Sequence, residues 1–352
     1  MKIKILVFLT ALLLMMPLFG CTQSAVDGLY NLECMKNVSK SQSGATPLLW
    51  EVSSENGGKV YLFGSIHVAD DSYLRLDDSI MKAFQDSGAL AVECDIVEYN
   101  NNFPLQVAHA KKYMMYTNGE TVDGHIPAKT VDKIFDTLKK YPDFMRKNGL
   151  SEQTLSTVKM YKPAFLTQLM TLLVSEQAGL SGDLGVDILF LKMAKELEKE
   201  IIEIESAEYQ VELLFGASDD VMRIQLEQAL EQPVERQAGE LKEIFEAWKS
   251  GDGDYFERML SADEDELANY TKDEIDALIE YNKALIDERN VGMAKAIAGY
   301  LDAGRKVFVI VGEAHMVGDN GIVNLLGEQG YTVKIISGTY TRNSAQSKEK
   351  AA

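Results

Sequence analysis

Cysteine is scarce: Cys21, Cys34 and Cys94 are the only three in 352 residues, so no disulfide framework holds this chain together. Positive charge is also in deficit. Thirty-five Lys and Arg stand against 54 Asp and Glu, a formal net charge of −19, which repels nucleic acid and anionic lipid headgroups. No His-Glu-x-x-His helix occurs, which excludes an ordinary zincin. The absence of a Gly-x-Ser-x-Gly elbow and of a phosphate-binding loop argues against serine-hydrolase and nucleotide chemistry. The acidic run Asp263-Glu264-Asp265-Glu266 lacks the glycine pattern of a calcium loop and reads as a solvated helix start. Apolar runs long enough to suggest a membrane span are missing after the N-terminus. Met160–Leu180 is apolar, but Lys162, Gln168, Glu176 and Gln177 make it a core helix.

The N-terminus is the exception. Met1-Lys2-Ile3-Lys4 supplies a basic start, residues 5–19 an apolar core, and Leu18-Phe19-Gly20-Cys21 has the form of a lipobox cut before the cysteine. The expected organisation is a signal peptide over 1–20, a tether over 21–45 from a lipidated (palmitate-type acylated) Cys21, a domain over 46–338 and a disordered tail over 339–352. Membrane attachment and an extracytoplasmic location follow, since several acyl chains on one residue anchor stably. Cys94 is expected to be buried and inert rather than bridged to Cys34.

The roughly 330 residues remaining suffice for one large α/β domain. Leu49–Ser53 and Lys59–Ile66 flank Ser54-Glu55-Asn56-Gly57-Gly58, whose Asn-Gly step predicts a β-hairpin. Asp77 or Asp78 caps a helix through Phe84, and a strand containing Glu93 completes a β-α-β unit. Helical spacing then dominates an insertion over about 103–290, interrupted by a strand at Ile201–Ile204. The predicted fold is α/β, with a mixed central sheet, a hairpin start and this large helical insertion.

Two tetrapeptides carry the chemistry. Gly64-Ser65-Ile66-His67 and Gly312-Glu313-Ala314-His315 each end an apolar strand-like run, with a glycine three residues before an imidazole to permit tight turning. Glu93, in the apolar run Leu90–Val97, needs a cation to offset its desolvation. Two imidazoles and a carboxylate make a divalent-metal set. Glu93 reads as ligand, as base for a metal-bound water, or as a carboxylate orienting a histidine, with the first two preferred. Asp95 is expected on the same face as a supporting group. His109 and His125 lack the glycine context and read as surface residues.

With these motifs the chain resembles the TraB/GumN-type proteins, which include the animal TIKI metalloproteases. The resemblance covers about residues 46–338. It rests on the two Gly-x-x-His motifs, on Glu93, on Arg289 within Glu288-Arg289-Asn290, and on a middle block of Gly185-Val186-Asp187, Ile204-Glu205 and Gln210. Isoleucine stands where the family has leucine before the glutamate. The resemblance implies an α/β fold and, for its TIKI branch, metal-dependent proteolysis with a divalent ion such as manganese, cobalt or zinc. The expected site gathers His67, His315 and Glu93 around that ion, with Arg289 stabilising the developing anion and Gly64, Gly312, Asp95, Asp187, Glu205 and Gln210 supporting the cleft. Peptide or protein is the expected substrate. The alternative is a non-catalytic lipoprotein holding a metal, haem or other ligand in the same cleft.

Overall fold

In a computed structural model, residues 44–260 and 270–341 are described. The lipobox and Cys21, Cys34 and most of the tether, the acidic run at 263–266 and most of the tail lie outside the described residues. Six strands form one sheet: β1 (Leu49–Ser53), β2 (Lys59–Ser65), β3 (Ala89–Val92), β4 (Glu200–Glu203), β5 (Lys306–Gly312) and β6 (Thr332–Ser337), in the order β4-β3-β5-β2-β1-β6. The hairpin forms as its turn residues predict. β1 and β2 pair antiparallel from Leu49↔Phe63 to Ser53↔Lys59, and Gly57 takes a φ of +90°. β6 pairs antiparallel with β1, whereas β2, β5, β3 and β4 are mutually parallel. β5 is central, and all of Val307–Gly312 is buried, as expected of a parallel strand covered on both faces.

The helices supply that cover. Asp77 caps α1 (Asp78–Asp86) by accepting from the Ser79 amide at 2.9 Å. Pro163 opens α2 (Pro163–Ala178) and Gly179, at φ +73°, closes it in the left-handed conformation. α3 (Val186–Glu196) feeds β4, and α4 (Ala207–Phe215), α5 (Asp219–Glu231) and α6 (Val234–Ser250) follow. α2 packs against α5 and α6. A π-helical turn at Ala284–Glu288 runs directly into α7 (Arg289–Asp302), and α8 (Ile322–Glu328) precedes β6. Among the described residues no helix is long and apolar enough to cross a membrane.

Aromatic rings lock helices to sheet. Phe190 of α3 stacks on Phe308 of β5 at 5.3 Å and meets Phe84 of α1 at 5.1 Å, while Phe63 of β2 lies 5.3 Å from Phe190. Such pairs each contribute about 0.5–1.5 kcal/mol beyond area burial. Trp248 Nε1 of α6 donates to the Gly64 carbonyl at 2.9 Å, which ties the inserted helices to the end of β2.

Two expectations need correction. His109 is buried, stacked on Tyr99 with Nδ1 3.1 Å from the Tyr99 hydroxyl; an imidazole without a glycine motif still packs well against a ring. His125 is half-buried rather than a free surface group, stacked on Tyr116 with carboxylates of Glu120 and Asp219 close by.

Candidate active site

Register brings the two motifs together. Parallel pairing sets Ser65 of β2 beside Gly312 of β5, and Val92 of β3 beside Ile310, so His67, Glu93 and His315 leave three adjacent strands at their carboxyl ends. Glu205 follows the carboxyl end of β4 in the same way, with its amide donating to the Glu93 carbonyl at 2.8 Å. This is the edge where a parallel sheet presents its crevice. A Cβ placed on Gly312 would lie 3.5 Å from Glu93 Oε1, 3.6 Å from His315 Cδ2 and 3.7 Å from His67 Nε2, so the three side chains converge around one glycine.

Gly64 serves space rather than turning, whereas a Cβ on Gly312 would meet its neighbours at ordinary van der Waals distance. Neither Gly64 nor Gly312 has a positive φ. A Cβ on Gly64 would fall 1.7 Å from Glu313 Oε2, so the missing side chain makes room for the Glu313 carboxyl, on the sheet face opposite that of Gly312.

Each imidazole is oriented through Nδ1. His67 Nδ1 lies 2.9 Å from Asp187 Oδ2, and Asp187 is held in the first turn of α3. His315 Nδ1 lies 2.7 Å from Asn290 Oδ1, the residue after Arg289 in α7. Their electrostatics diverge. Burial works to lower the His67 pKa, but the Asp187 charge and hydrogen bond outweigh it and raise the pKa above 6.5. Burial, helped by the Arg289 charge, drives His315 down to about 3, so it is a neutral imidazole whose Nδ1–H donates to Asn290 and whose Nε2 is an acceptor.

Arg289 fills the space between Glu93 and His315. Its Nη1 donates to His315 Nε2 at 3.1 Å, its Nη2 to Glu93 Oε2 at 2.5 Å and Glu205 Oε2 at 2.8 Å, and its Nε to Glu205 Oε1 at 2.9 Å. Gln210 Nε2 bridges Glu93 and Glu205 at 3.0 and 2.9 Å, and the Gly312 amide donates to Glu93 Oε1 at 2.7 Å. Burial alone would raise the Glu93 pKa, but the Arg289 charge overrides it and keeps the carboxylate ionised. The buried Cys94 thiol donates to Gln210 Oε1 and is pushed upward in pKa by burial, an inert packing role.

Asp95 does not join this network. Its carboxylate caps the short helix Ile96–Asn101 through the Glu98 amide and pairs with Lys195 at 2.9 Å; the chain turns into that helix directly after β3, so strand alternation no longer governs its direction. Three residues that the sequence reading passed over stand beside it, of which Asn290 alone is hydrogen-bonded into it. Asn290 orients His315, Ser65 lines the cleft, and Glu313 lies 2% exposed with its pKa raised to about 8 by burial. Glu313 sits inside the second motif and Asn290 beside Arg289, so proximity to the motifs was the available signal.

Two clefts meet at His67 and Glu93. One is apolar, walled by Leu213, Leu214, Leu241, Ile244 and Ile286; the other runs past Asn100, Lys147, Glu176 and Ser181. A profile of the TraB/PrgY/gumN family matches residues 48–335. The chain belongs to the TraB/PrgY/gumN family. Its relatives include metalloprotease TIKI2 of Danio rerio, 24% identical across 86% of this chain and 63% of the fish protein, and metalloprotease TIKI1 of Homo sapiens, 22% identical across 93% and 68%. The uncharacterized protein YbaP of Escherichia coli is 22% identical across 55% of this chain and 66% of its own length. The chain thus spans less than two thirds of the fish metalloprotease. No solved structure gives a significant match.

These relatives point to a divalent metal, and the donor set can be tested against one. His67 suits a ligand, with Nδ1 tied to a carboxylate and Nε2 directed at the centre of the site. His315 and Glu93 do not, as arranged, because the donors facing that centre are engaged by the Arg289 guanidinium and the Gly312 amide. Among the described residues no group of three or more His, Cys, Asp or Glu is disposed to hold a metal ion. A single ion shared by His67, Glu93 and His315 does not fit this arrangement; a guanidinium bridges the last two instead.

Proposed function

We propose that the chain is a hydrolase of peptide or related acyl bonds, with His67 as the proton acceptor. The observation that carries this reading is the His67–Asp187 contact of 2.9 Å, which holds a proton on Nδ1 and leaves Nε2 as a base facing the cleft. Asp187 fixes the tautomer and stabilises the imidazolium formed when a water proton is taken, the logic of carboxylate–histidine pairs in acyl transfer. Arg289 spends its N–H groups on Glu93, Glu205, His315 and the Leu285 carbonyl, so its role in this reading is to hold Glu93 and His315 in place beside the cleft, with Gln210 bridging Glu93 and Glu205. His315, neutral and tied to Asn290, positions Arg289 from the other side.

The lipobox at Cys21 supports an extracytoplasmic, lipid-anchored location for this activity. Cys21→Ser should release the chain from membranes or leave an uncleaved precursor; unchanged fractionation and migration would contradict the anchor. For the activity itself, the chain is incubated with a peptide library, with and without manganese, cobalt or zinc, beside Glu93→Gln. Cleavage by wild type that Glu93→Gln loses supports the reading. Binding of a metal or haem without turnover by either protein favours the non-catalytic alternative.

A further inference from the structure

One hydroxyl in the apolar cleft is left unpaired. Ser65 is 3% exposed, its Oγ has no hydrogen-bond partner, and the residue lines the cleft beside His67. A buried hydroxyl that finds no partner costs about 1–3 kcal/mol, which alanine in the same place would avoid. Its direction is set by the sheet. Ser65 pairs with Gly312 in the parallel ladder, and paired residues send their side chains to the same face. A Cβ on Gly312 would lie 3.7 Å or less from Glu93, His315 and His67 Nε2, so Ser65 stands on the face that carries the proposed proton acceptor. Gly64, one residue earlier, faces the other way, toward Glu313. The other side-chain donors on the Ser65 face are spent. His67 Nδ1 is tied to Asp187, His315 Nδ1 to Asn290 and Gln210 Nε2 to Glu93 and Glu205, while the Arg289 guanidinium is divided among Glu93, Glu205, His315 and the Leu285 carbonyl.

We propose that the Ser65 hydroxyl donates to the carbonyl oxygen of the acyl bond under attack, and that it stabilises the negative charge as that oxygen becomes an oxyanion. The assignment rests on the hydrolase reading for its catalytic meaning, and it supplies the donor that Arg289, fully committed elsewhere, does not. A hydroxyl held in place and unused in the free protein gives its whole hydrogen bond to the bound carbonyl, and that bond strengthens as charge develops. The walls of Leu213, Leu214, Leu241 and Ile244 favour an aliphatic acyl group beside it and keep water from competing for the hydroxyl.

Two measurements on the full chain test it, and the first needs no turnover. Methyl isobutyl ketone presents a carbonyl on an aliphatic tail. In difference infrared spectra its bound carbonyl band should lie at lower frequency in wild type than in Ser65→Ala, and wild type should bind it about fivefold more tightly, the worth of one net hydrogen bond. Ser65→Thr, which keeps the hydroxyl, should restore both. Ser65→Ala should also melt no lower than wild type, because the hydroxyl it removes has no partner in the protein. A band and affinity unchanged in Ser65→Ala, a ketone that wild type does not bind, or a lower melting temperature of the variant would overturn the donor role. In the second measurement, with a peptide that wild type cleaves, Ser65→Ala should lower kcat about a hundredfold while KM stays within about twofold, and an unchanged kcat would also overturn the role. Absence of any cleavage, with the ketone band shift intact, would refute the hydrolase reading and leave the donor standing.

Discussion

Arg289 Nη1 lies 3.1 Å from His315 Nε2, so the second imidazole of the paired motifs faces a guanidinium. Its first consequence concerns metal. Arg289→Met should expose His315, Glu93 and Glu205 and leave two buried carboxylates uncompensated, a loss of about 3–5 kcal/mol in stability. A divalent cation would then offset that charge. Manganese or cobalt is expected to raise the melting temperature of Arg289→Met more than that of wild type, read by calorimetry. An equal or larger rise for wild type would mean that the ion binds with the guanidinium in place.

The Asp187–His67 contact sets a pH dependence. A base must be unprotonated to act, and Asp187 raises the His67 pKa, so kcat/KM should climb through an acid limb lying above 6.5. In Asp187→Asn the largest raising influence is gone, leaving burial and the Arg289 charge against the Glu93 charge, so the limb should move to lower pH while the maximum rate falls. A pH–rate profile with the same limb in both proteins would show that His67 is not the titrating base.

Glu313 gives a stability prediction of opposite habit to most acids. Its pKa is raised from 4.5 to about 8 on folding, so the folded state holds the proton over that window where the unfolded chain releases it. Stability from this group is intact below 4.5 and is lost as pH rises toward 8. Relative to Glu313→Gln, wild type should therefore lose on the order of 3 kcal/mol between these limits, measured as urea midpoints. Parallel curves for the two proteins would place the Glu313 carboxyl in contact with water or a partner.

Gly64→Ala should cost about 1–3 kcal/mol, because the new methyl falls 1.7 Å from Glu313 Oε2 in a packed site. The same substitution in a Glu313→Ala background should cost clearly less, a coupling that a double-mutant cycle reads directly. Additive costs would mean that the glycine answers to something other than the carboxyl.

Much of the frame was legible because local chemistry and tertiary structure agree. Asn56-Gly57 made the hairpin, Asp77 capped α1, and the continuous apolar run through Val307–Val311 could only be an inner strand. The convergence of the histidines was legible for the same reason: matching motifs at the ends of two buried strands become neighbours when those strands pair in parallel. What the sequence hid was direction. Nothing local says that Asp187 turns toward His67 from 120 residues away, that Asp95 turns away to cap a helix, or that Tyr99 covers His109. Both glycines were read for backbone freedom, whereas neither has a positive φ and the use of Gly64 is room for the Glu313 carboxyl. The guanidinium between Glu93 and His315 was the largest surprise, since it depends on the phase with which the π-helical turn delivers Arg289 into α7.

The central claim is that His67, held by Asp187, takes the proton from the attacking water. Mass spectrometry of a peptide library incubated with wild type and with His67→Gln tests it most directly. The account predicts new fragments with wild type and a loss of rate of at least about a hundredfold in the variant, whose melting temperature should stay close to that of wild type. Fragments appearing at equal rates in both, or none with folded wild type under any metal condition, would contradict it.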